Sequence, residues 1–96
     1  MDRNALETRW LDLTRQTLPS VARRQGWPVH LDHCFQRILL DNAVGGFWRN
    51  QIAPPAYRNA PDKVLAKAVD LGEAALAGET DMAVLNANSL RWRGKL

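Results

Sequence analysis

Apolar residues recur three and four positions apart along most of this chain, and strict alternation is nowhere sustained. That period predicts helices and no strands. Asn4 followed by Glu7 has the form of a capping box, and Leu6, Trp10, Leu13 and Thr17 follow at helical spacing. Pro19 has no backbone donor and disfavours a helical residue before it, so the first helix is expected to kink or end at Leu18. A short segment from Ser20 to Gln25 follows, closed by Gly26, and Trp27 to Leu31 reads as an extended connector.

The longest apolar run with chemically able side chains starts at His33, and it predicts a central helix over 32–44. Asp32 offers a carboxylate to the free amides of the first turn, and Gly45-Gly46 leaves the helical region at little steric cost. Phe47 to Ile52 reads as one further turn or two, and Ala53-Pro54-Pro55-Ala56-Tyr57-Arg58 as the clearest non-helical stretch. Asn59-Ala60-Pro61-Asp62 is a helix-start signal, and the apolar stripe from Val64 runs to about Ala77 before Gly78. A last helix begins at Glu79 or Thr80, with Met82, Leu85, Ser89 and Trp92 on one face. The expected fold is all-α: a compact irregular bundle of four main helices with a short extra helical segment, forming a single domain over residues 1–96.

Composition narrows the functions. The chain of 96 residues is 46% hydrophobic and 24% charged, which suits one globular core and excludes wholesale disorder. Thirteen basic residues against ten acidic ones give a net charge of +3, favouring acidic partners without the dense clusters that announce nucleic acid. Cys34 is the only cysteine, so the chain forms no internal disulfide and no all-cysteine metal site. His30 and His33 flank Asp32 without completing a metal-ligand pattern, and we expect no metal there. Neither a leader-like start nor the roughly twenty apolar residues of a membrane span is present, so a cytoplasmic protein without a membrane partner is expected. Trp10, Trp27, Trp48 and Trp92 are expected to peg different elements to the core.

Helical spacing places His33, Arg37 and Asp41 on one face of the central helix, and Cys34, Ile38, Phe35 and Leu39 toward neighbouring elements. The proline-rich stretch is expected to lie over that helix and bring Tyr57 and Arg58 beside the polar row. Two functional readings follow. In the first, the chain is a helical binding or adaptor protein that meets a protein, nucleic acid or another anionic partner through an Arg/Trp surface. Trp48, Tyr57 and Trp92 beside Arg37, Arg49, Arg58, Arg91 and Arg93 belong to that surface, being residue types enriched in interaction hot spots. In the alternative, His33, Arg37, Asp41 and Asn42 form an enzyme or small-molecule site for acyl-CoA or another anion, walled by Trp48 and Tyr57. The motifs name no cofactor and assign no reaction.

Gly26-Trp27-Pro28-Val29, Asp32-His33-Cys34-Phe35-Gln36-Arg37-Ile38 with Leu40-Asp41-Asn42, Pro55-Ala56-Tyr57, Leu85-Asn86 and Ser89 to Lys95 together carry a resemblance. The chain resembles, over nearly its whole length, a small family of alphaproteobacterial proteins often labelled GCN5-related N-acetyltransferase. That label implies acetyl transfer from acetyl-CoA. The Gln/Arg-x-x-Gly-x-Gly/Ala loop and mixed sheet of that class have no counterpart here, so no catalytic residue is carried over.

Overall fold

The computed structural model describes residues 2–96, and the architecture is all-α. Four helices of ten residues or more dominate: α1 (Arg3–Asp12), α3 (Asp32–Val44), α5 (Asp62–Leu76) and α6 (Met82–Trp92). Two shorter ones, α2 (Leu18–Ala22) and α4 (Ala56–Asn59), and a 3₁₀ turn at Trp48–Asn50 complete the set. No helix among the described residues is long and apolar enough to cross a membrane.

α1 starts two residues earlier than the capping-box reading expects. Asp2 is the N-cap, its carboxylate accepting from the Asn4 amide at 3.2 Å, and Glu7 instead pairs with Arg3 at 2.9 Å. Nor does Pro19 end the helix. Residues Leu13–Thr17 widen into a π-helical segment, in which the Leu18 amide donates five residues back to the Leu13 carbonyl, and the chain runs on into α2. A proline in an α-helix loses one bond and crowds the carbonyl four residues earlier; the wider turn just before Pro19 removes that crowding. The short segment therefore spans Leu18–Ala22 rather than residues 20–25, and Gly26 turns the chain with φ 70°.

The central helix forms as its signals specify. Leu31 is the extended cap residue, Asp32 accepts from the His33 amide at 2.7 Å, and Gly45 adopts φ 75° while its amide reaches the Asp41 carbonyl at 2.8 Å. α3 buries Phe35, Ile38, Leu39 and Leu40 against α5 and α6, with Cys34 half-buried. Trp27 meets Phe35 edge-on, at 5.8 Å between ring centroids. α5 crosses close to the π-helical segment and α3 at Gly72: a Cβ there would lie 2.6 Å from Leu13 Cδ2 and 3.1 Å from Leu39 Cδ1. Asp81, not Glu79 or Thr80, caps α6 by accepting from the Ala83 amide at 2.9 Å.

Two expectations are corrected. Trp10 is buried, and Trp27 and Trp48 pack partly against the core, but Trp92 is 38% exposed and pegs nothing to it. Part of the proline-rich stretch is helical. Pro55 stands at the cap position of α4, and its carbonyl accepts from the Arg58 and Asn59 amides at 3.2 and 3.1 Å. Arg3 holds the far end of that turn, donating to the carbonyls of Tyr57 (3.0 Å) and Arg58 (3.3 Å) and to Asp62 (2.6 Å). Hydrogen bonds to Glu7 and then Asp62 raise the Arg3 pKa above its ordinary value, so this brace between α1, α4 and α5 stays charged.

Candidate functional site

The polar row on α3 separates by depth. Asp41 is fully buried and receives four hydrogen bonds. Arg93, just past the end of α6, grips it with both arms of the guanidinium, Nε to Oδ2 at 2.6 Å and Nη2 to Oδ1 at 3.1 Å. The Ser89 hydroxyl donates at 2.6 Å, and the Trp48 amide at 3.0 Å. A buried carboxylate needs this degree of pairing, because unpaired charge in the interior is costly. The clasp fixes three pieces of chain: the end of α3, the 3₁₀ turn, and the end of α6. Arg93 also lies 4.1 Å over the Phe47 ring, which extends the clasp into the turn after Gly45-Gly46.

One turn earlier on α3, Arg37 has a different environment. It donates to Ser89 Oγ and Asn86 Oδ1, both at 2.8 Å, and both acceptors are neutral. A guanidinium has five N–H donors, so these two bonds orient Arg37 while leaving three donors uncommitted. His33, a further turn back, is exposed, with Nδ1 3.5 Å from Asp32 Oδ1. Asn42 faces α6 instead: it donates to the carbonyls of Ile38 and Leu85 at 2.8 Å each and accepts from Asn88 at 3.2 Å. It is a strut between helices.

Beside the row opens a cleft of about 580 Å³. His33, Arg37, Trp48, Tyr57 and Arg93 line it, so five of the nine expected site residues converge there. Asp41 stands behind Arg93, whereas Asn42, Arg91 and Trp92 do not line the cleft. Arg91 bonds Asn88 at 3.3 Å and is exposed. Arg58 also turns away from the role expected beside the row: its Nε donates to the Tyr57 hydroxyl at 3.2 Å, a bond that raises its pKa.

The sequence offers Arg49 only as part of an extended Arg/Trp surface and assigns Arg15 no site role, yet both line the cleft, together with Trp10, Phe47, Pro54 and Pro55. Arg15 sits in the π-helical segment, whose direction no local signal reveals. Arg49 lies 5.4 Å over the Trp48 ring in the 3₁₀ turn. Four arginines and a histidine thus face one hollow, and none of the described residues lining it is Asp or Glu. Among the described residues no carboxylate lies within ion-pair distance of Arg15, Arg37 or Arg49. A second hollow, of about 480 Å³ between Gln25–Pro28 and the α5–α6 turn, has the opposite character: Glu79 and Asp81 line it without any Arg, Lys or His. No family model matches this chain, and no curated protein or solved structure matches it either.

Proposed function

We propose that this chain binds a small anionic ligand in the cleft between α3, the π-helical segment and the 48–57 stretch. One observation carries the reading: three arginines without a carboxylate partner, Arg15, Arg37 and Arg49, face the same hollow as Arg93. Arg15 and Arg49 are exposed and Arg37 half-buried, and the fields of charges of one sign lining a concavity add and draw an anion into it. Arg37 supplies the positional element, because Ser89 and Asn86 hold it before any ligand arrives and less ordering entropy remains to be lost on binding.

Cleft size supports a small ligand over a macromolecule, since about 580 Å³ falls within the usual range for small-molecule sites. The extended Arg/Trp surface that would suit nucleic acid has less behind it, with Arg91 and Trp92 lying off the cleft. Calorimetric titration of the full chain with inorganic pyrophosphate tests the reading. Binding is expected at low salt, weaker as NaCl rises, and weaker by about tenfold in Arg37→Ala, the order of one charge-assisted contact. Absence of both heat and thermal stabilisation with pyrophosphate, phosphate and succinate at millimolar concentration rejects it.

A further inference from the structure

Resting on the anion-binding reading, we infer that the ligand is an aromatic phosphate monoester of roughly nucleoside monophosphate size, its phosphate on Arg37 and its ring against Trp48 or Tyr57. Charge argues for phosphate over carboxylate. Arg15, Arg37 and Arg49 bring three positive charges without a carboxylate partner, and a phosphate monoester supplies about −1.5 to −2 at neutral pH where a carboxylate supplies about −1. A phosphate can also take a bidentate pair from the N–H donors that Ser89 and Asn86 leave free on Arg37, with its remaining oxygen open to Arg15 or Arg49.

The rest of the wall argues for a flat ring. Away from the guanidinium groups the cleft wall is mostly ring surface, from Trp10, Phe47, Trp48, Tyr57, Pro54 and Pro55, with Leu11 and Leu40 as its branched aliphatic members. Trp48 and Tyr57 are each only half-buried and already accept a guanidinium over the ring, Arg49 at 5.4 Å and Arg58 at 5.6 Å. A ring stacked in the cleft joins a cation–π arrangement in place rather than creating one. A bare phosphate would leave this apolar wall wet, and a neutral aromatic would leave the arginines uncompensated.

Titration of the full chain with adenosine 5′-phosphate, phenyl phosphate, ribose 5-phosphate and benzoate reads both halves separately. The two aromatic phosphates are expected to bind about tenfold more tightly than ribose 5-phosphate, the order of one base stacking on an aromatic side chain, and more tightly than benzoate. In Trp48→Leu and Tyr57→Leu the ratio of adenosine 5′-phosphate to ribose 5-phosphate affinity should shrink in at least one variant, and an unchanged ratio in both overturns the ring assignment. Equal affinity for ribose 5-phosphate and adenosine 5′-phosphate overturns the ring assignment and leaves the anion site standing; equal affinity for benzoate and phenyl phosphate overturns the phosphate assignment likewise. Failure of all four, and of pyrophosphate, removes both this inference and the reading beneath it. The ligand comparison on the unaltered chain decides the question even if neither variant folds.

Discussion

Arg37 and Arg93 are linked through a single hydroxyl and a single carboxylate, and their surroundings differ in one respect. Arg93 spends its charge on buried Asp41, whereas Arg37 is held by neutral Ser89 and Asn86 and keeps its charge for the cleft. Opposite charges closed on one another are costly to separate, because removing either leaves the other unpaired, and they offer nothing to a ligand. A cation fixed by neutral acceptors contributes less to the fold and stays available. The same residue type on neighbouring elements is thus a rivet in one place and a receptor in the other.

The largest expected effect breaks the rivet. Asp41→Ala leaves Arg93 without its carboxylate and strips acceptors from Ser89 and the Trp48 amide, and urea denaturation should show a loss of about 3 kcal/mol or more. Arg37→Ala removes two hydrogen bonds from the guanidinium to neutral acceptors at a half-buried site, so its cost should be smaller, about 1–2 kcal/mol. Equal losses in the two variants would erase the distinction. Gly72→Ala disturbs the core where α5 meets Leu13 and Leu39, without touching either arginine. Crowding Leu13 and Leu39 should outweigh the gain in helix propensity by about 1 kcal/mol or less, with pyrophosphate affinity unaltered. Smallest in stability are Arg15→Gln and Arg49→Gln, both exposed and expected within about 0.5 kcal/mol of the parent chain. Their pyrophosphate affinity should nevertheless fall several-fold, and a variant that loses neither stability nor affinity takes that arginine out of the site.

The central helix was legible because its evidence is local: Asp32 and Gly45-Gly46 bound it and the apolar spacing runs between them. Local evidence misled at Pro19, where a widened turn just before the proline lets the helix run on. It misled again at Ala56–Asn59, a single turn whose carbonyl end is held by Arg3 from far along the chain. Asp41 did carry a signal, a carboxylate next to Ile38, Leu39 and Leu40, which asks for a buried cation. Ser89 carried another, a hydroxyl on the apolar stripe of α6. Neither names its partner. Arg15 had no signal at all.

Residue order alone therefore determined that the chain is helical, where its longest helices lie, and that His33, Arg37 and Asp41 share a side of one of them. Those properties follow from backbone torsions and spacings of a few residues, which each stretch carries within itself. Which of the three would be buried, which left charged in a cleft, and which other arginines would join it depended on how α6 and the π-helical segment dock against α3. Burial and charge pairing arise between residues about fifty positions apart, and only the assembled tertiary structure brings such distant groups within reach of one another.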